Sequence, residues 1–429
     1  MIGIGPAGPR GADSPATPRI DGHSNAGASG SRAGSHISPP QGRWSSLDLR
    51  RLDRDDERPF WIALSALPGV GPVAFARLLA RYGSGRAAWA AGPRILELLP
   101  RATGEASTVV ALLRRRPMTV AAPIEAAVRR AAGRILTALD QDYPAALAAL
   151  DPRPAVLYIV GETSAVETTC VAVVGTRRPS GYGRACAAEI GDELARAGVT
   201  VVSGLALGID GEAHAAAVAA GGRSVAVLPS PIDRIYPPRH GGLARRMVDA
   251  GGALLSEIPP GHAIGRPDFA RRNRIIAGLA SAVVVVEAPD HSGALLTAAA
   301  AVDYGRDLFA VPGPIDAVTS RGCNRLIADH LASLVTSPAS LLHQIGATPG
   351  TRPLSVANLS DAEGLILGRL LGRPASIEEL IDGTGLPTGA LASTLTLLEA
   401  RGLIDSFGGA TFHPTLVARR IGHRGQPPQ

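Results

Sequence analysis

The stretch Val171-Ala-Val-Val-Gly-Thr-Arg-Arg-Pro-Ser-Gly-Tyr-Gly183 runs from a short β-branched segment, through a glycine-rich loop with two guanidinium groups, into a helical pattern from Tyr182 to Ala197. The same alternation repeats along the chain. Val199-Thr-Val-Val202, Ser224-Val-Ala-Val-Leu228, Ala282-Val-Val-Val-Val286 and Leu308-Phe-Ala-Val311 are further short apolar runs, and amphipathic stretches such as Asp210 to Ala220 lie between them. Runs of this kind read as strands buried on both faces, and strands separated by helices pair in parallel. Residues 151–342 therefore read as an α/β domain with a doubly wound, mostly parallel sheet, whose ligand site should lie at the carboxyl ends of the strands.

The flanks read differently. Residues 1–45 are dominated by Gly, Pro, Ser and Ala without hydrophobic periodicity, the composition of a disordered tail. Residues 46–150 read as a helical domain. Trp61-Ile-Ala-Leu64, Leu67-Pro-Gly-Val-Gly-Pro72 and an apolar-periodic stretch from Val73 to Tyr82 resemble a helix-hairpin-helix (SAM-like) unit, whose glycines let backbone N–H groups approach a phosphate. A tight turn in a small helical bundle would look the same. Residues 343–358 read as a linker. Residues 359–416 carry helical patterns at about 361–371, 376–382 and 387–400, then a two-stranded ribbon, which is a winged-helix pattern. Residues 417–429 read as a second disordered tail.

All 43 members of the Lys+Arg total are arginine. The lack of a lysine amine excludes a Walker-type P-loop, Schiff-base catalysis and pyridoxal attachment. Guanidinium groups stay charged, grip phosphate bidentately and stack on bases. The net charge of +6 suits a polyanionic partner, but its excess is local. Residues 61–150 hold 11 arginines against 5 acids, Arg114-Arg115-Arg116 among them, while residues 151–340 hold 17 against 18. Such a run is ordinarily a solvated face. Cys170, Cys186 and Cys323 are widely spaced with no CxxC pair, which points away from disulfides and zinc and towards a reducing cytoplasm. Neither a secretory signal nor a membrane span is read.

The candidate chemistry lies in the loops after the strands. Gly175, Thr176, Arg177 and Arg178 follow the first strand, and Ser203, Gly204, Gly208 and Asp210 the second, with Asp210 placed as a helix N-cap. Glycine backbone and helix N-termini at one rim make an anion site. A dinucleotide site is disfavoured, because Gly181-x-Gly183 stands too far from its strand and Cys186 replaces the third glycine. The densest basic group is Phe269-Ala-Arg271-Arg272-Asn273-Arg274, readable as a phosphate clamp or as arginines paired internally with Asp268 or Glu257. Ser292, Gly293 and Thr297 follow the fourth strand, where Ser292 offers a hydroxyl to a phosphate or caps the helix. No Ser-His-Asp, Cys-His or paired-carboxylate arrangement with a catalytic setting is found, so no enzymatic activity, metal or cofactor is expected.

In these residues the sequence resembles the DNA-processing protein A family, also called DprA or Smf. The blocks are Val173-Val-Gly-Thr-Arg177, Ser203-Gly204 through Gly208-Ile-Asp210, Ile235-Tyr-Pro237, Ser256-Glu-Ile-Pro-Pro-Gly261, Arg272-Asn-Arg-Ile-Ile-Ala-Gly-Leu279, Glu287 with Ser292-Gly-Ala-Leu295, Gly305-Arg306, Ala310-Val-Pro-Gly313 and Ser320-Arg-Gly-Cys-Asn-Arg-Leu-Ile327. The resemblance implies an extended Rossmann-like domain that binds single-stranded DNA, forms a homodimer, protects incoming DNA and helps load the RecA recombinase during natural transformation. It implies DNA contacts at Gly175, Thr176, Arg177, the 204–210 loop, Arg272, Asn273, Arg274, Ser292, Gly293 and Thr297. Three departures stand out: Thr176 for the usual serine, Leu207 for the usual arginine, and Pro229-Ser230-Pro231 for the usual Gly-Cys-Gly. The rival from another class is a nucleotide-processing enzyme on a related Rossmann-like fold. A third reading, a transcription factor acting through the winged helix, is weakened by the zero net charge of residues 341–429.

Overall fold

The structure, a computed structural model, describes residues 43–99, 104–348, 360–400, 403–407 and 411–415. Among these, nine strands form one sheet: β1 (Gly133–Thr137), β2 (Val156–Gly161), β3 (Cys170–Val174), β4 (Thr200–Ser203), β5 (Ser224–Leu228), β6 (Ala253–Ser256), β7 (Ala282–Val285), β8 (Asp307–Ala310) and β9 (Ser333–Leu334). Their order is β1-β2-β6-β5-β4-β3-β7-β8-β9. From β6 to β9 all neighbours are parallel, while β1 and β2 run antiparallel at one edge. This is the expected α/β, Rossmann-like, doubly wound and mostly parallel sheet.

Period-two alternation places the apolar side chains on both faces. In β3, Ala172 and Val174 face one core while Val171 and Val173 face another. The first core takes α10 (Arg266–Leu279) and α11 (Ala294–Asp303), and the second takes α7 (Gly181–Arg196), α8 (Ile209–Ala219) and α13 (Pro338–Gln344). The chain leaves β3 towards β4, β5 and β6, and α10 then carries it back to β7 on the other side of β3. The crevice outside the carboxyl ends of β3 and β7 is thus a topological switch point, where ligands of open α/β sheets bind.

Four of these strands lie outside the sequence reading: β1, β2, β6 and β9. β6 is Ala-Leu-Leu-Ser, which has no β-branched residue, and β9 is two residues long. β2 is strand-like in composition but precedes the strand–helix repeats that give the pattern away. β1 lies within the stretch read as wholly helical, residues 46–150.

The helical segment comprises α1 (Arg54–Ser65), α2 (Pro72–Tyr82), α3 (Gly85–Ala90), α4 (Ala106–Leu113) and α5 (Pro117–Arg130). Its aromatic centre is Trp44, Trp61 and Phe75, with Trp61 and Phe75 centroids 4.9 Å apart. Trp44 falls within the expected N-terminal tail, yet it is buried and its indole N–H donates to the Pro72 carbonyl at 3.1 Å. Glu57, also buried, accepts from Gly85 N–H at 2.6 Å and from the Trp61 indole at 3.1 Å, which fastens α3 to α1. This core is continuous with Val156, Tyr158, Ala226, Leu228 and Leu254 of the sheet. Residues 1–42 of the expected tail, most of the expected linker and residues 417–429 lie outside the described residues.

Short helices complete the chain: α6 (Ala145–Ala148), α9 (Gly241–Asp249) and α12 (Arg321–Ala328). The winged helix is built from α14 (Asp361–Gly372), α15 (Ile377–Thr384) and α16 (Thr388–Ala400) around Ile366, Leu370, Leu380, Leu391, Leu398 and Ile404. Its ribbon has a third short strand, β10 (Ala375–Ser376), paired with β12 (Thr411–Pro414), which also pairs with β11 (Ile404–Phe407).

α8 carries a fully buried histidine, His214. Leu205 N–H donates to its Nε2 at 3.3 Å, so the ring proton sits on Nδ1, which donates to Ser224 Oγ at 2.7 Å; Ser224 in turn donates to the Val201 carbonyl at 3.0 Å. Burial pushes the His214 pKa down to about 3, helped by the positive charge of His240 and Arg272. The unfolded chain takes up this proton near pH 6.5 and the folded chain does not until about 3, so the stabilisation is complete above 6.5 and is lost as pH falls towards 3. Urea unfolding of the parent should therefore lose stability between about pH 7 and about pH 5, by up to about 1.4 kcal/mol per pH unit from this group. His214→Gln should show a shallower loss. Identical pH profiles for the two proteins would contradict this account.

Candidate nucleic-acid interface

The loop after β3 is tied to the loop after β7 by backbone: Thr176 N–H donates to the Glu287 carbonyl at 2.7 Å. The buried Glu287 carboxylate accepts from Ser180 N–H at 2.8 Å, and a side chain at Gly183 would overlap it, so this position needs glycine. Ser180 caps α7 through Gly183 N–H at 3.0 Å. Ile209 N–H donates to the Thr176 carbonyl at 3.2 Å, which brings the loop after β4 to the same rim.

A single pocket at this rim gathers Gly175, Thr176, Arg177, Asp210, Arg272, Asn273, Ser292, Gly293 and Thr297. An apolar cleft opens beside it, where Gly204 lies with Leu207, Pro229, Tyr236 and Phe269. Arg272 is the central cation. It is 6% exposed, its Nη1 donates to the Val227 carbonyl at 2.9 Å, and its buried Nε has no partner. Burial pushes its pKa down to about 10, against the pull of Asp210, and the nearby Arg177 charge lowers it further. Gly204 lies so close to this guanidinium that a Cβ there would overlap it. Asn273 donates from Nδ2 to the Gly293 carbonyl at 3.1 Å, fastening α10 to the start of α11.

Several expected contacts stand elsewhere. Asp210 is not the N-cap of α8, a position held by Gly208; it is buried one residue inside the helix and accepts from Gly204 N–H at 3.1 Å and Ala206 N–H at 3.4 Å. Burial pushes its pKa up, opposed by Arg272 and these hydrogen bonds. Ser203 is internal, its hydroxyl donating to the Val173 carbonyl at 2.6 Å. Gly208, at φ 78°, packs on the Thr176–Arg177 backbone. Gly293, not Ser292, is the N-cap of α11, although Ser292 Oγ accepts from Ala294 N–H at 3.3 Å.

The three-arginine clamp is also divided. Arg274 points away from the pocket, paired with Glu257 at 2.6 Å and donating to the Pro152 carbonyl at 2.9 Å. Arg271 lies against the α1–α2 hairpin, where a Cβ on Gly71 would stand 3.6 Å from its Nη2. Arg178 is exposed, and its backbone N–H donates to Thr176 Oγ1 at 3.2 Å.

Arg266 escaped the sequence reading of the site, and Phe269 entered it only as the start of the basic run with no role of its own; Tyr236 stands beside them in the cleft. Arg177 stacks over the Phe269 ring at 4.9 Å, and Tyr236 meets that ring edge-on at 5.7 Å. The signal was available in helical spacing. Arg266, Phe269, Ala270 and Asn273 recur at i, i+3, i+4 and i+7 on one face of α10, while Arg271 and Arg274 share another.

Comparison with known proteins agrees with this architecture. The family model described as DNA recombination-mediator protein A matches residues 134–346, the DprA-like N-terminal HHH domain matches 55–111 and the DprA winged helix domain matches 350–410. The protein Smf of Synechocystis sp. is 32% identical over 397 residues, covering 83% of this chain and 99% of that protein. The putative DNA processing protein DprA of Mycobacterium tuberculosis is 38% identical over 315 residues, covering 69% and 80%. The X-ray structure of DprA from Streptococcus pneumoniae aligns with a TM-score of 0.56 and 28% identity, covering 68% of this chain and 98% of that one. The chain therefore belongs to the DNA-processing protein A family, also called DprA or Smf.

Proposed function

We propose that this protein binds single-stranded DNA at the switch-point pocket and acts as a recombination mediator that protects incoming strands and helps load RecA onto them. The observation that carries the reading is a desolvated guanidinium, Arg272, with a buried Nε that has no partner, in a pocket shared with exposed Arg177 and Arg266. A phosphate oxygen can be gripped by the part of this guanidinium that lines the pocket. The strand-end glycines and the N-terminus of α11 add backbone N–H groups at the same rim. Phe269 and Tyr236 give a base an apolar face next to the phosphate grip, so stacking contributes alongside backbone contacts.

The rival enzymatic reading finds less support. Among the described residues Asp210 is the carboxylate that lines the pocket, and it is committed to the loop backbone. Homodimer formation belongs to the same proposal; Val302 on α11 and Leu331 and Leu334 around β9 are exposed apolar side chains suited to a partner surface. Work in the cytoplasm fits the free cysteines, and no helix among the described residues is long and apolar enough to cross a membrane.

Binding of a fluorescent thymidine oligonucleotide, followed at several salt concentrations, tests the site. Arg272→Ala should weaken affinity at least about tenfold and flatten the salt slope by about 0.7, the loss of one phosphate contact on a single strand. Arg274→Ala should leave the slope unchanged and instead lower stability by about 3 kcal/mol, because it strands the Glu257 carboxylate. An Arg272→Ala protein with the parent's affinity and slope would sink the assignment.

A further inference from the structure

Leu205, in the loop after β4, has φ 55°, a left-handed conformation that a residue with a side chain rarely adopts, and its side chain is fully buried. Imidazoles hold both of its backbone polar groups. Its N–H donates to His214 Nε2 at 3.3 Å, and its carbonyl accepts from His240 Nδ1 at 2.9 Å. His240 comes from a separate segment just before α9, and its ring seats against Gly211, where a Cβ would stand 2.7 Å from Cε1.

The residues flanking Leu205 decide what the carboxylate of Asp210 does. Gly204 and Ala206 both donate N–H to its Oδ2. Arg272 feels the Asp210 charge, yet its own hydrogen bond goes to the Val227 carbonyl and its Nε keeps no partner. A carboxylate and a guanidinium buried in one pocket attract each other. Among the described residues no ion pair joins them: the carboxylate is taken up by the loop N–H groups and the guanidinium by the Val227 carbonyl. The Leu205 carbonyl held by His240 and the Ala206 N–H that Asp210 accepts belong to one peptide plane, so the hold on the carbonyl fixes the direction of that N–H.

We propose that His240 is a positioning residue for strand binding: with His214 it clasps Leu205, keeps Asp210 on the loop backbone, and so leaves Arg272 free for a phosphate of the nucleic-acid backbone. The inference rests on the strand-binding reading above. Without the clasp the loop relaxes, Asp210 closes on Arg272, and the pocket loses its central charge while every arginine is still present.

The test uses the full chain and a fluorescent thymidine oligonucleotide, with thermal unfolding and circular dichroism as checks on folding. His240→Leu should weaken binding about tenfold, the range of one hydrogen bond to a charged group. His240→Asn, whose amide N–H can reach the same carbonyl, should bind like the parent. In the His240→Leu background, Asp210→Asn should recover more affinity than the same change gains in the parent, because it removes the group that quenches Arg272. Equal factors in the two backgrounds would overturn the proposal, since a merely structural role gives no such coupling. So would parent-like binding by His240→Leu while Arg272→Ala is impaired, an outcome that leaves the strand site standing. Parent-like binding by Arg272→Ala would remove the strand site and the clasp together. If His240→Leu does not fold, His240→Phe, which fills the ring volume without a donor, carries the same expectations.

Discussion

The backbone bond between Thr176 N–H and the Glu287 carbonyl exists because β3 and β7 are neighbours although more than a hundred residues separate them. Had the chain continued past β6 to place β7 at that edge, the loops after β3 and β7 would open on distant parts of the rim. Reversal at β3 puts them side by side, and the remaining features follow from that adjacency. Glu287 can take the Ser180 N–H, Gly183 must lack a side chain to admit the carboxylate, and Asn273 can bridge to Gly293. The pocket is walled largely by backbone that the sheet has already fixed, so little ordering would accompany the binding of a ligand there.

The chemical type of the central cation matters in this setting. Burial and the field of Arg177 lower Arg272 to about 10, which still leaves it charged at neutral pH. A lysine, with an ordinary value near 10.4, lowered by the same amount would fall to about 8 and be partly neutral under the same conditions. The chain's exclusive use of arginine reads as a bias of composition, but at position 272 it has a physical result: the side chain can be buried and still carry its charge at neutral pH. The net charge of +6 contributes little here, because its excess lies in the helical segment and the pocket depends on where individual guanidiniums are held.

Most of the fold could be read from the chain because β3, β4, β5, β7 and β8 are short apolar runs between helices, a pattern with few structural solutions. β6 could not, because Ala-Leu-Leu-Ser carries no strand preference and becomes a strand only by pairing between β5 and β2. The candidate site was legible as a set of loops and illegible in its details. Reading Arg271, Arg272 and Arg274 as one cluster treats a helix as a line, whereas turning by 100° per residue sends Arg272 to the pocket, Arg274 to Glu257 and Arg271 to the hairpin. Nothing in the local sequence marks Leu205 as left-handed. Its two backbone polar groups are held by two histidines, one of them 35 residues away.

The apolar cluster that runs from Trp61 and Phe75 into Tyr158, Leu228 and Leu254 crosses the line at which one would cut the chain into modules. The helical segment covers β1 and β2 there, while α9, the crossover helix between β5 and β6, packs into the same cluster beside it. Modular exchange is therefore constrained at this junction. A lineage that replaced or lost its N-terminal helices would have to repaint the outward side chains of β1 and β2 in the same steps, or leave a greasy wall facing water. The winged helix, with a core of its own built from Ile366, Leu380 and Leu398, carries no such obligation and can be traded far more freely.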